Sequence, residues 1–364
     1  MLDLDGVDEL LSRRGLRTPF LRLAKDGAVV DSRSFTGSAG AGAEIGDQVR
    51  DDAVAALFAD GATVVLQGLH RTWAPVIDLT TRLAAELGHP AQCNAYVTPP
   101  RSRGFSAHYD VHDVFVLQVA GRKHWAVHAP VHPDPLRDQP WNDHAAAVRR
   151  RAEEEPALDL VLEAGDVLYL PRGWLHSAAA EDDVSAHLTV GVHVVTRYAL
   201  VEALAALVAD DADLRAALPL GLDVADPEAL APHVDTVRAA LHAALDRVPV
   251  EAVARKVRGK VWQGGRPEPL RPVASAAFAE GLAPGDAVRV RLGLHRRLTR
   301  GDALVLELPD RRVTFPDTVA PALEALLGGG THVVGDLPGL PAADQVVLVR
   351  RLLREGLLVP AARP

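Results

Sequence analysis

The apolar positions of the chain change period twice. From Thr72 to Leu87 they recur three and four residues apart, the spacing of a helix with one buried face, and Gly88-His-Pro90 ends it. Upstream, Met1 to His70 combines a short acidic helix candidate, a Gly-rich loop from Phe35 to Gly46, a helical pattern over Asp51–Ala59 and the β-branched run Ala62-Thr-Val-Val-Leu66, which reads as a buried strand. After Pro90 the period shortens. Cys93–Val97, Val114–Val119, His124–His128, Val167–Leu170 and His187–Val195 are short strand candidates bounded by Gly or Pro, the pattern of an antiparallel barrel or sandwich. Tyr198 to Arg255 returns to helical spacing, with helices expected at Ala199–Ala209 and Pro232–Leu245.

Arg258 to Pro272 carries Gly259, Gly264, Gly265, Pro267, Pro269 and Pro272 and reads as a linker. Beyond it, strands are expected at Ala287–Leu292, Ala303–Glu307 and Arg311–Phe315. Helices at Thr318–Leu327 and Ala342–Glu355 and a closing strand at Leu357–Val359 follow, an order resembling a winged helix. The expected fold class is α+β, with a β core at 1–197, a helical block with linker at 198–272 and a winged-helix-like unit at 273–364.

Composition narrows the function classes. Hydrophobic residues make up 48% and charged residues 24%, which is globular and excludes a disordered chain or a rod. No apolar run reaches the ~20 residues of a membrane span, and the start of the chain carries Asp3, Asp5, Asp8 and Glu9 where a signal peptide is basic and then apolar, so a cytoplasmic protein is expected. Net charge is −9; Tyr198–Arg255 holds four Arg against ten acids, and Gly285–Pro364 eleven Arg against nine acids. That field is poorly suited to a DNA duplex, and Arg296, Arg297 and Arg300 are the local basic cluster of the tail. With Cys93 the single cysteine, a metal would have to be held by His, Asp or Glu.

The segment richest in chemistry is Ser106-Ala-His108-Tyr-Asp110-Val-His112-Asp113. In an extended chain His108 and Asp110 project from one face and can reach one ion. A His/carboxylate pair with a third ligand and open positions is the facial arrangement associated with non-haem Fe(II). His176, after the turn in Gly165-Asp-Val-Leu-Tyr-Leu-Pro-Arg-Gly-Trp-Leu-His176, is the preferred third ligand. His112, His124, His128, His132, His144, His187 and His193 compete for the place, but none stands on a comparable Pro-x-Gly-x-x-His turn, and for them a solvated or core histidine is the simpler reading.

Asn94-Ala-Tyr96-Val-Thr-Pro-Pro, His108-Tyr-Asp110, Phe115-Val-Leu-Gln-Val-Ala-Gly121-Arg-Lys123-His-Trp125, the His176 turn and His187-Leu-Thr189 occur in one order over Asn94–Thr189. Together they resemble the JmjC-type oxygenases of the cupin (double-stranded β-helix, jelly-roll) superfamily, and within them the ribosomal oxygenases. The resemblance implies dependence on Fe(II), 2-oxoglutarate and O₂, with His108, Asp110 and His176 as iron ligands. It matches Lys123 to the basic residue that pairs with the distal carboxylate of 2-oxoglutarate, and Asn94 and Tyr96 to polar residues lining the co-substrate and substrate pocket. It further implies hydroxylation of a protein side chain, Arg or His of a ribosomal protein, and a homodimer formed through the helical block Ala199–Leu245, for which a domain spacer is the alternative reading. Physical chemistry agrees for Lys123: a carboxylate deep in a barrel needs a cation, and Lys is rare in this Arg-rich chain.

One position departs from the pattern. Similar chains often carry Ser where this one has Gly191, which removes a hydroxyl from the pocket's surroundings and leaves the substrate open. Trp174, His112 and Asp113 are further candidates for shaping the pocket. Two alternatives stay in play: oxygenation of a biosynthetic peptide or small molecule, and a non-oxygenase cupin whose metal is structural and whose tail regulates. Lys123 separates them, because a structural metal needs no buried cation.

Overall fold

The computed structural model describes residues 1–362, so Arg363 and Pro364, the end of the expected C-terminal unit, lie outside the described residues. The chain divides into two compact units, each discontinuous in sequence. One comprises Met1–Val194, Arg266–Leu294 and the chain from Phe315 onward; the other comprises Val195–Gly265 and His295–Thr314.

In the first unit nine longer strands and one two-residue strand build two antiparallel sheets, the longer ones being β1 (Leu21–Lys25), β2 (Thr63–Leu66), β3 (Ala91–Thr98), β4 (Asp113–Ala120), β5 (Lys123–His128), β6 (Leu158–Leu162), β7 (Val167–Leu170), β8 (Leu175–Ala180) and β9 (Ser185–Val192). The large sheet runs β7-β4-β9-β3-β2-β1 and ends on the short strand Ala28–Val29; the small sheet runs β8-β5-β6. This is the two-sheet layout expected of a jelly-roll core.

Period-2 alternation decides the faces. Cys93, Ala95 and Val97 of β3 and Leu188 and Val190 of β9 point outward into one core, with Leu21 and Leu23 of β1 and Val76 of the helix Ala74–Leu87. Asn94, Tyr96 and Thr98 of β3, and His187, Thr189 and Gly191 of β9, therefore face the opposite way, toward the small sheet. A second core, Val114, Val116, Trp125, Val127, Leu162, Leu168 and Leu170, includes residues of both sheets.

Most expected elements are present within one or two residues. The helix expected from Thr72 breaks at Trp73 into Leu69–Thr72 and Ala74–Leu87, with Pro75 in the first turn of the second. The Gly-rich loop carries the short paired strands Thr36–Gly37 and Gln48–Val49. The expected linker needs correction: a helix runs Val250–Gly264, and another starts at Pro272. Val250, Val253, Val257 and Val261 recur at helical spacing, and that apolar face outweighs the cost of Gly259.

The second unit holds this helix with Tyr198–Val208, Ala212–Arg215 and Pro227–Arg247, plus the small sheet of Arg297–Arg300, Leu304–Glu307 and Arg312–Phe315. Arg258 pairs with Glu307 at 3.0 Å and Lys260 with Glu202 at 2.9 Å inside it. Among the described residues no helix is long and apolar enough to cross a membrane.

Candidate metal and co-substrate site

His108 and His176 are brought together by backbone pairing. His176 N–H donates to His108 O at 2.8 Å and His108 N–H to His176 O at 3.2 Å, an isolated antiparallel bridge that closes the long sequence gap between them. His108 sits at this bridge and Asp110 in the loop before β4, so the same-face argument holds for an extended loop rather than for a strand. Gly173 N–H donates to Asp110 O at 3.0 Å, tying the carboxylate's own backbone to the turn that carries His176. That turn needs Gly173: φ is +86°, and a Cβ there would lie 2.9 Å from His132 O. Asp113 pins the same turn, accepting from Arg172 N–H at 3.0 Å and from the Tyr169 hydroxyl at 3.0 Å, so its role is architectural. Trp174 packs against the core between the sheets.

The donor atoms of His108, Asp110 and His176 lie within 4.8 Å of one another. Each imidazole is oriented through Nδ1, which reaches a backbone carbonyl two residues upstream: Ser106 O at 2.8 Å for His108 and Trp174 O at 3.1 Å for His176. Both rings therefore turn Nε2 away from that tie, the tautomer and orientation a metal ligand requires. Burial, and next the neighbouring His108, push the His176 imidazole down to about 4, so it is neutral and its lone pair is available at physiological pH. Two imidazoles tied through Nδ1 and one carboxylate, each held by its backbone, fit a divalent transition metal with open coordination positions.

The trio stands on the wall of a cavity of about 330 Å³. Deeper in, Lys123 is 3% exposed. Its Nζ donates to Thr98 Oγ1 at 2.9 Å, Thr98 is linked at 3.1 Å to Thr63, and His187 Nδ1 lies 3.4 Å from the same Nζ. Among the described residues no carboxylate pairs with it. Burial alone brings its pKa down to about 7, the signature of a cation without a counter-charge. Trp125 lines the same cavity, and its indole N–H is buried with no partner among the described residues. A buried ammonium and an unanswered N–H donor fit a carboxylate-bearing co-substrate.

Tyr96 lines the cavity, stacked on His187 at 5.1 Å, and burial raises its hydroxyl to about 12. Asn94 does not line it. Its Oδ1 accepts from Gly68 N–H at 3.0 Å and its side chain also bonds that of Tyr96, so Asn94 braces the wall behind Tyr96. The sequence alone does not single out His187, which is 4% exposed at the cavity's heart, nor Thr98 and Trp141. The available signal is the alternation in His187-Leu-Thr189, which puts both polar side chains on one face.

Gly191 acquires a physical reason. A Cβ on it would lie 2.4 Å from His112 Cδ2 and 2.5 Å from His112 Nε2, so the glycine and the histidine occupy one volume between them. The His112 ring is stacked on His193 at 5.0 Å and contacts Gln92 at 3.4 Å. The space beside Gly191 is taken by an imidazole arriving from the loop just before β4.

Residues 74–200 match the JmjC domain family. That segment is a JmjC domain, and the wider chain is similar to proteins named ribosomal oxygenases. Ribosomal oxygenase 1 of Rattus norvegicus is 30% identical over 324 residues, covering 76% of this chain and 53% of the relative, and the Homo sapiens protein is 30% identical over 327 residues, covering 76% and 50%. This chain thus spans about half the length of those relatives. The Drosophila persimilis protein named bifunctional lysine-specific demethylase and histidyl-hydroxylase NO66 is 39% identical over 136 residues, 35% of this chain and 19% of that one.

The fold is shared with the ribosomal oxygenase YcfD of Escherichia coli in complex with cobalt and 2-oxoglutarate (TM-score 0.52, 17% identity, 99% of this chain and 91% of that one). The same enzyme with cobalt and succinic acid gives 0.53 at 18% identity and the same coverage. The JmjC match begins at residue 74, so β1 and β2, which add Arg22 and Thr63 to the cavity wall, lie outside it.

Proposed function

We propose that this JmjC protein is an Fe(II)- and 2-oxoglutarate-dependent oxygenase that hydroxylates a protein side chain, with Arg or His of a ribosomal protein as the target class. The observation that carries the reading is one cavity with two complementary ends: a trio of two imidazoles and a carboxylate on its wall, and a buried, unpaired ammonium within. His108, Asp110 and His176 would hold the iron, and Lys123 the distal carboxylate of 2-oxoglutarate. When bound, the metal and co-substrate supply the oxidation: substrate C–H, O₂ and 2-oxoglutarate become substrate C–OH, succinate and CO₂.

The chain's residues do the rest. Lys123 neutralises a charge that would otherwise be buried unpaired, with Thr98 and Thr63 fixing the position of its Nζ. Tyr96, His187 and Trp125 pack ring against ring around it, at 5.1 and 5.3 Å, and exclude water from the co-substrate end. The Nδ1 ties on His108 and His176 hold their rings, so little reorganisation accompanies binding.

The test is mass spectrometry of ribosomal proteins from cells with and without the gene. A species heavier by ~16 Da, one oxygen, that disappears with the gene would name the substrate. The His112 ring filling the space over Gly191 favours a second reading in which the same oxygenase acts on a different peptide; an unchanged ribosomal-protein mass profile together with 2-oxoglutarate turnover by the purified protein would select it. A non-oxygenase cupin regulator has no use for the buried Lys123.

The reading extends to the rest of the chain as functional segments 1–197, 198–272 and 273–364. The last is winged-helix-like and contacts protein rather than DNA, an order supported by helix Pro272–Glu280, strand Ala287–Val290, helix Ala320–Leu327, strand Thr331–Val333, helix Ala342–Arg354 and strand Leu358–Pro360. Self-association through Ala199–Leu245 is supported by the exposed Leu200, Val201, Val237 and Leu241. A monomer by light scattering at micromolar concentration would remove it.

A further inference from the structure

Three formally charged side chains line the cavity: Arg22, Asp110 and Lys123. The role of the first rests on the oxygenase reading, in which Asp110 faces the metal and Lys123 the co-substrate. Arg22 is left over. Its place in the wall is fixed by register: β1 sets Arg22 opposite Val65, β2 sets Val65 opposite Tyr96, and β3 sets Tyr96 opposite His187, one row across the cavity face. Leu21 and Leu23, at 1% and 0% exposure, anchor the strand to the outer core and turn Arg22 inward.

The guanidinium lies over Phe105, 5.8 Å from the ring centre, and Phe105 in turn is 6.1 Å from the ring of His108. The cation thus stands one aromatic ring from the metal trio. Among the described residues no carboxylate pairs with Arg22, and its Nε is buried without a hydrogen-bond partner. An arginine stacked on an aromatic face keeps the edge of its fork free for a planar anion.

Charge balance gives the class of ligand. A divalent metal and doubly negative 2-oxoglutarate cancel, and Asp110 cancels Lys123, so the loaded cavity keeps one positive charge, that of Arg22. We infer that Arg22 selects the substrate by taking one of its carboxylates, so that the favoured target is a peptide carrying Asp or Glu beside the oxidised side chain, and that this side chain is not a protonated arginine. Arg22 is a specificity residue contributed by the N-terminal strand, outside the matched JmjC segment.

The source of the carboxylate, substrate or co-substrate, is decided by measuring both ligands on anaerobic, Fe(II)-reconstituted protein. Two fluorescein-labelled peptide pools, randomised around a central His, carry either Glu or Lys on both sides of it, and binding is read by anisotropy near 0.15 M salt. The 2-oxoglutarate Kd is read from tryptophan fluorescence, since Trp125 and Trp141 line the cavity. The Glu pool should bind at least ~10-fold tighter than the Lys pool, against the repulsion of a chain whose net charge is −9.

Arg22→Gln should bring the two pools within about twofold, Arg22→Lys should retain the preference, and Arg22→Glu should invert it, a gain that misfolding cannot imitate. In all three variants the 2-oxoglutarate Kd should stay within about twofold. No Glu preference in the unaltered protein, or a preference that survives Arg22→Glu, overturns the proposal. So does a ~10-fold weaker 2-oxoglutarate Kd in Arg22→Gln, which would give Arg22 to the co-substrate. Failure of the unaltered protein to bind 2-oxoglutarate would instead break the oxygenase reading, while the peptide arm, which needs no turnover, would still decide the role of Arg22.

Discussion

The two ends of the cavity reach their order by different means. At the co-substrate end each polar group rides on a barrel strand: Lys123 on β5, Thr98 on β3, His187 on β9 and Thr63 on β2. Their positions follow from the hydrogen-bond ladder, and their partners are other strand residues. At the metal end His108 and Asp110 hang from a loop and His176 starts a strand behind a tight turn. Order there comes from one backbone bridge, two Nδ1–carbonyl ties and the Asp113 clamp. The ladder gives a rigid receptor for a part of the ligand that does not react. The tethered loops give three donors whose backbones are fixed while their open side stays accessible.

The sharpest way to break this contrast is to remove a tethered donor. His176→Ala should weaken Fe(II) binding by ~100-fold or more in an anaerobic titration, leaving the fold intact because the bridge is backbone to backbone. Loss of iron in His187→Ala with retention in His176→Ala would reverse the roles of the two ends.

Next in size is Lys123→Ala, which should raise the 2-oxoglutarate Kd by ~10- to 100-fold while Fe(II) binding changes by less than about threefold. The pH dependence sharpens the test. With its folded-state pKa lowered to about 7, Lys123 in the ligand-free protein is an ammonium below that pH and neutral above it. Affinity for 2-oxoglutarate should therefore fall as pH rises above 7. The unfolded chain keeps this proton to about pH 10.4, so it binds more protons than the folded one across that window. Stability of the ligand-free protein should thus rise with pH between 7 and 10, by up to ~1.4 kcal/mol per pH unit from this group, and Lys123→Met should flatten the slope in denaturant titrations.

A smaller effect is expected beside the trio. Gly191→Ser places a Cβ against the His112 ring and should destabilise by ~1–3 kcal/mol, read as a lower urea midpoint; adding His112→Ala should restore most of the loss. If the single change is neutral, the two residues do not share their volume as described. Smallest of all, Arg101→Ala breaks an ion pair with Asp182 whose side chains are 81% and 80% exposed, and should change stability by less than ~0.5 kcal/mol. Set against Lys123, it measures how far burial rather than charge sets the size of an electrostatic effect.

Legibility in the sequence follows the same division. His108, Asp110 and His176 are readable because a short motif and a Pro-x-Gly-x-x-His turn are local patterns, and Lys123 because it is a rare residue at a recognisable place. Asn94 and Tyr96 share a strand face, yet Tyr96 alone of the two lines the cavity: how far each member of an alternating pair reaches depends on what the adjoining segment offers, here the Gly68 N–H to Asn94. That Arg22, Thr98 and His187 share one cavity is not legible, because their meeting is a matter of cross-strand register, which one sequence does not display. Three strands, β1, β6 and β8, are not legible either. Leu175-His-Ser-Ala-Ala-Ala180 has little β propensity and becomes a strand through pairing with β5. The expected linker fails for the opposite reason, since Gly content outweighs the valine spacing of 250–261 in such a reading.

The placement of β9 has a consequence for biogenesis. It inserts between β3 and β4, pairing with both along its length. During synthesis β3 and β4 emerge first, and each keeps an open edge until the chain has grown past Val192. At ~5–20 residues per second that interval lasts on the order of seconds, long beside the microseconds a hairpin needs to form. Through that interval the nascent chain presents two apolar, unpaired strand edges to its neighbours. Production of the protein should therefore be limited by the handling of the growing chain, and slower translation over residues 121–192 should lower soluble yield without altering the stability of the finished molecule.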